Sequence, residues 1–274
     1  MIDAHHHVWS LQRGDYGWLT PDLPIYRDYS LDDLRPLLGD ITTTVLVQAA
    51  PTEAETAWLL GVARASAGLV QGVVGWVDML ARDAPDRIAV LARNPLLKGL
   101  RPMLQDIDDT EWLLRPDVQP AIAAMIETGL RFDALVQPRH LPMLYTFCAR
   151  YPNMPVVIDH GAKPAIASGA WQPWADDIRR LARATSANCK LSGLVTEAGR
   201  DWCADDLRRY VDHLIDCFGP ARVMWGSDWP VVNLAGGYSR WRETTFSVLL
   251  QLSVEDRHTI VGRTAAEFYA LTRV

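Results

Sequence analysis

The sequence predicts a single (β/α)₈ barrel of the TIM type over residues 1–274, with an open doubly wound sheet as the alternative. Three observations lead there. Eight short apolar runs can be counted, several nearly continuous, as strands buried on both faces should be. Longer amphipathic segments lie between most of them, which is the pattern of βαβ units around a parallel sheet. The length of 274 residues is close to the roughly 250 such a barrel takes.

The eight runs are Ile2–Val8, Thr43–Ala49, Val73–Val77, Leu97–Met103, Leu130–Val136, Pro155–His160, Ala187–Ser192 and Arg222–Ser227. Between the second and third, Thr52 and Glu55 form a capping box ahead of Trp58, Leu59, Val62 and Ala63. Leu207, Val211, Leu214 and Phe218 recur at helical spacing before the eighth run. Ser253 caps a further helix, and Ala265–Leu271 closes the chain. No accessory domain is expected ahead of Ile2. The longest insertion, residues 9–41, follows the first strand and carries Trp9, Tyr16, Trp18, Tyr26 and Tyr29. It is therefore expected over the C-terminal mouth as a lid or pocket wall.

Composition narrows the function. Lys+Arg number 27 against Asp+Glu 33, a formal charge of −6, which is not the basic profile of a nucleic-acid binder. No apolar run approaches the ~18 residues of a membrane span, and the first residues lack the basic and apolar regions of a signal peptide. Cys148, Cys189, Cys203 and Cys217 make no C-x-x-C pair. They read as reduced thiols in a cytoplasmic protein. There is no G-x-S-x-G elbow, phosphate-binding loop or dinucleotide fingerprint. The 11 Trp outnumber the 8 Tyr and 5 Phe.

Three strand ends carry candidate chemistry. In Asp3-Ala4-His5-His6-His7, alternation places Asp3, His5 and His7 on one face, with Ile2, Ala4 and His6 on the other. Two neutral imidazoles so spaced can grip one divalent ion. In the sixth run Val156, Ile158 and His160 share a face, and Lys163 follows in the loop. In the last, Met224, Gly226 and Asp228 share a face. His5, His7, His160 and Asp228 would then converge above the barrel. That set suits Zn²⁺ or a similar ion, and equally a metal-free hydrolase with Asp228 as general base. Gln48, Trp76 and Arg101 lie near other strand ends. Arg101 suits recognition of a substrate oxygen, with an ion pair to Asp78 as the alternative. His140 could line the mouth, Lys190 and Ser192 share a face, and His213 and His258 read as solvated.

These residues resemble, in order and through nearly the whole chain, the amidohydrolase superfamily, in its branch of sugar-lactone hydrolases of the L-fuconolactonase and L-rhamnonolactonase type. The resemblance rests on Ile2–Trp9, Gly14–Leu19, Val47–Ala49 with Glu55-Thr56, Lys98–Arg101, Asp159–Pro164, Lys190–Gly193 and Gly226–Pro230. It implies a barrel with its site at the strand C-termini. His5 and His7 take the H-x-H role, His160 the later-strand His role and Asp228 the final-strand Asp role. Lys98 lies near the start of its strand, so at most one metal is implied, zinc foremost, and catalysis without metal stays open. Pro102 and Val8 depart from residues common in relatives and leave the substrate open.

The expected activity is ring opening of a sugar-derived lactone, with Asp228 taking a proton from water. His5, His7 and His160 serve as metal ligands or catalytic groups. Trp18, Gln48, Trp76, Arg101 and Lys163 contact the small-molecule substrate. A metal-dependent decarboxylase of an unsaturated acid and a non-catalytic sugar-acid binder are the rival readings. Trp9, Trp18, Trp76, Trp225 and Trp229 are expected to line the pocket, because indoles pack on sugar C–H faces and donate one N–H. Trp58 and Trp112 are expected in the core. The sequence leaves the oligomeric state open.

Overall fold

A computed structural model describes residues 1–272. Eight parallel strands follow one another around the sheet in chain order. They are β1 (Ile2–His6), β2 (Thr43–Val47), β3 (Val70–Gly75), β4 (Leu97–Leu100), β5 (Arg131–Ala134), β6 (Val156–Ile158), β7 (Asn188–Leu191) and β8 (Val223–Trp225). Consecutive order excludes the doubly wound alternative, whose strand order reverses. The ring closes just beyond β8. His6 bridges Trp229 in parallel, Asp228 N donates to His5 O at 2.8 Å, and His7 N donates to Trp229 O at 2.6 Å. This seam brings the last strand's carboxylate beside the first strand's imidazoles.

All eight strands stand where the apolar runs place them, but most end sooner. The trailing residues leave the ladder to build the mouth. Gln48 N still reaches back to Val74 O, and Arg101 N to Gly75 O.

Most of the core lies between the strands and the outer helices. A second, smaller cluster fills the barrel: Ala4, Val45, Val47, Val74, Val157 and Met224 meet the chain's end at Ala265, Tyr269 and Leu271. The C-terminal segment thus plugs the bottom of the barrel. Lys98 Nζ donates to Ala270 O at 3.3 Å and Arg131 Nε to Phe268 O at 2.6 Å.

Residues 9–41 pack as part of the body. Trp9 and Tyr29 exchange backbone hydrogen bonds of 3.0 Å, Trp9 Nε1 donates to Arg27 O at 2.7 Å, and Tyr29 stacks edge-on against Trp229. Trp18 Nε1 donates to Ala49 O at 2.7 Å, which ties the segment to the end of β2. All four cysteines are free. Among the described residues, no helix is long and apolar enough to cross a membrane. His258 is exposed as expected. His213 is not: it is buried, its Nε2 2.9 Å from Ala175 O, with its ring against Trp171 and Trp174. A helix packed alongside covers the face that helical spacing reads as polar.

Candidate active site

Strict alternation fails in β1. A register shift between Asp3 and His6 lets Ala4 and His5 both turn inward. Ala4 joins the barrel cluster, while Asp3 faces out and accepts from Ser227 N at 2.8 Å and His5 N at 3.2 Å. His6 also faces out, its Nε2 2.9 Å from Thr44 Oγ1. The bulge re-aims a side chain, as bulges at barrel rims do. His5 and His7 therefore meet inside, as expected, but without Asp3. Only a residue without a side chain fits at Gly226, where a Cβ would come within 2.7 Å of the His5 Cβ.

β6 departs from expectation in the same way. Val157 lies in the barrel cluster while Val156 and Ile158 face the outer core, so Asp159 continues inward. His160 regains the mouth through a left-handed turn, in which His160, Gly161, Ala162 and Lys163 all have φ between +51° and +62°. For the non-glycine members this costs roughly 1–2 kcal/mol each. Lys163 N donates to His160 O at 2.9 Å, and Trp174 Nε1 holds Gly161 O at 2.8 Å. At about three residues per turn, positions i and i+3 eclipse, which puts His160 and Lys163 on one edge. His160 Nδ1 and Ser192 Oγ share a hydrogen bond of 2.9 Å. Gly193, at φ +62°, leaves room for that ring, since a Cβ there would lie 2.4 Å from Nδ1.

Asp228 sits at the centre. Its Oδ1 is 3.3 Å from His7 Nε2, 3.7 Å from His5 Nε2 and 3.8 Å from His160 Nε2. Burial works against its ionisation, yet the three imidazoles hold it below the usual carboxylate range. Burial pushes His160 down to about 4 and His5 well below its ordinary value, so both rings are neutral. The Nδ1–H of His7 donates to Val47 O at 2.8 Å, which turns its Nε2 toward Asp228. His5 Nε2 lies 3.2 Å from that atom.

This geometry fits one divalent ion. Two ligand atoms each about 2.0–2.1 Å from a tetrahedral ion stand about 3.3 Å apart. The His5, His7 and Asp228 ligand atoms are 3.2, 3.3 and 3.7 Å apart. A second grouping of His5, Asp159 and His160 already holds a cation: Lys190 Nζ is 3.1 Å from His5 Nδ1 and 3.1 Å from Asp159 Oδ1.

Beneath the imidazoles lies a closed charge network that the sequence reading did not assemble. Lys190 Nζ also donates to Asp133 Oδ2 at 2.6 Å, which accepts from Tyr269 OH at 2.5 Å. Arg101 Nη1 donates to Asp159 Oδ2 at 3.2 Å. Two cations face two carboxylates, all fully or almost fully buried. Burial opposes Asp159 ionisation, but Lys190, His5 and Arg101 hold it well below the usual range. Arg101 thus pairs with Asp159, and Asp78 instead accepts from Leu80 N at 3.0 Å. Gln48 braces this arginine from both sides. Its carbonyl accepts from Arg101 Nη2, and its Nε2 donates to Arg101 O at 2.7 Å.

A cavity of about 290 Å³ opens over the cluster and includes His7, His160, Asp228, Arg101, Lys163 and Trp18 in its wall. Gln48 stands behind Arg101, and Trp76 lines an adjoining hollow of about 700 Å³ that shares Trp18 and Met103 with the cavity. Trp9, Trp225 and Trp229 are fully buried and do not reach it. Trp225 packs on Tyr238 and Phe246 instead. Trp112 is buried, and Trp58 is half-buried under Arg13. His140 is buried as a helix cap, its Nδ1 accepting from Gln137 N. Asp133 left a sequence signal, a lone carboxylate in an apolar strand. Tyr269 left none, and neither did Glu197, which also lines the cavity, because only the fold carries them to the site.

Comparison with known proteins agrees with this construction. The amidohydrolase family matches over residues 2–271. An L-fucono-1,5-lactonase of Burkholderia ambifaria is 44% identical over 99% of this chain and 96% of its own. An L-fucono-1,5-lactonase of Burkholderia multivorans is 38% identical over 98% and 96%. A Burkholderia multivorans amidohydrolase crystallised with bound zinc superposes with a TM-score of 0.92, at 37% identity and 99% coverage of both chains. With the eight-stranded barrel and its inward His, His, His, Asp set, these matches show that the chain belongs to the amidohydrolase family.

Proposed function

We propose that this protein is a lactone hydrolase that opens a sugar-derived lactone such as L-fucono-1,5-lactone. The observation that carries this reading is the full-length 44% identity to an L-fucono-1,5-lactonase, joined to a carboxylate and two imidazoles, Asp228, His7 and His160, in the wall of a sugar-sized cavity with His5 behind them. Asp228 is the general base. It stays ionised at neutral pH, and it faces the cavity where water and a ring carbonyl can meet. His5, His7 and Asp228 would hold one divalent ion, zinc by the donor set, with His160 beside them. A bound ion supplies Lewis-acid stabilisation of charge on a carbonyl oxygen. Arg101 adds positive field from the wall, kept in place by Asp159 and Gln48. Lys163 meets the substrate from the rim. Residues 9–41 serve as a packed wall over the mouth, giving Trp18 and Leu23 to the cavity.

Trp18 offers its indole to the C–H face of the ring. Trp18→Ala should raise KM on a sugar lactone several-fold, and more than Trp76→Ala or Trp58→Ala does. Equal effects from all three would assign Trp18 to packing alone. Gly193→Ala should push the His160 ring aside. It should cost about 10²-fold in kcat/KM, the usual scale for a misplacement of about 1 Å. Unchanged kcat/KM in the folded variant would show that His160 placement is not used.

The experiment for the reading as a whole is a product screen by NMR. Aldonolactones are expected to give the open acids. Release of CO₂ from unsaturated acids, with no lactone opened, would favour the decarboxylase reading.

A further inference from the structure

Glu197 lies in the short helix Leu194–Ala198 after β7 and lines the cavity beside Lys163, Thr196 and Asp228. Its Oε1 is 3.7 Å from Lys163 Nζ. That is longer than a direct hydrogen bond, which spans about 2.7–3.2 Å. The two groups form a loose ion pair at the cavity wall, and one oxygen beside the pair can lie within hydrogen-bond reach of both. A hydroxyl suits this position better than a carbonyl or a carboxylate does, because it accepts from the ammonium and donates to the carboxylate at once. Both side chains are largely buried, at 23% and 27% exposure. The left-handed turn sets Lys163 on the same edge as His160. The same cavity is also lined by apolar Trp18, Leu23 and Leu234. It therefore offers groups for hydroxyls and groups for C–H faces.

We infer that Lys163 and Glu197 act together as a specificity pair that reads a ring hydroxyl of a polyhydroxylated substrate. The inference rests on the lactonase reading for its substrate class. Its geometry also applies to the ring-opened sugar acid.

The test compares Glu197→Gln and Lys163→Met with the unmutated protein on L-fucono-1,5-lactone and on δ-valerolactone, which has no hydroxyl. The ratio of kcat/KM values, fuconolactone over valerolactone, is expected to fall about tenfold or more in each variant, as for a lost hydrogen bond to a charged group. The double variant should lose less than the product of the two single losses, since one hydroxyl serves both groups. A second arm needs no turnover: calorimetric affinity for L-fuconate should fall in Glu197→Gln by a similar factor. An unchanged ratio overturns the pair, and so does equal or absent L-fuconate binding in both proteins. If L-fuconate binding discriminates but no lactone is opened, the pair stands and the lactonase reading fails.

Discussion

Asp228→Asn should lower lactone turnover at least about 10²-fold, the common size of a general-base contribution. The substitution keeps the shape of the side chain and removes its charge and basicity. The backbone contacts that set it, Asp228 N to His5 O at 2.8 Å and Val232 N to Asp228 O at 2.9 Å, are untouched. The carboxylate is the only acid whose oxygen approaches all three imidazoles within 4 Å among the described residues. Circular dichroism and metal content measured on the same sample separate lost chemistry from a lost fold or a lost ion. Near-normal kcat in a folded, metal-replete Asp228→Asn protein would remove this residue from the reaction.

The second large effect concerns stability. Lys190→Met takes one cation from the buried network and leaves Asp133 and Asp159 facing each other with Arg101 alone. Breaking a buried pair in this way costs about 3–5 kcal/mol, because the orphaned charge stays behind. At roughly 2–4 °C per kcal/mol for a chain of this size, Tm should fall roughly 6–20 °C. Lys190→Met combined with Asp133→Asn removes one charge of each sign and should recover much of the loss. Tyr269 OH still has an oxygen to donate to in that variant. A Tm shift below about 1 °C in Lys190→Met would show that the network contributes little to the folded state. Equal melting of the single and double variants would show that Asp133 is not its partner.

The architecture was legible because barrel strands are buried on both faces, so hydrophobicity marks them without alternation. Strand ends were less legible, since residues such as Gln48 and Arg101 look like continuing strand while their side chains already build the mouth. The four residues around the candidate metal position could be picked out individually. Each is a polar group ending an apolar run. Their relative directions could not, because two departures from regular backbone decide them. The bulge in β1 moves Asp3 off the His5 face, and the left-handed turn returns His160 to the mouth after β6 has turned Asp159 inward. A period of two cannot anticipate either. The tryptophan excess misled for a related reason. Trp225 and Trp229 bracket Asp228 in sequence, but both side chains turn away from the mouth, Trp225 onto Tyr238 and Phe246 of the helix layer and Trp229 onto Tyr29. The Lys190, Asp133 and Tyr269 contacts join residues as far as 136 positions apart, and nothing local announces them.

The most direct measurement is acid release from L-fucono-1,5-lactone followed with a pH indicator, corrected for spontaneous opening. One acid equivalent per lactone is expected, saturable in substrate, with no CO₂ formed. A rate equal to the spontaneous one, for this lactone and across a panel of aldonolactones, would contradict the lactonase reading.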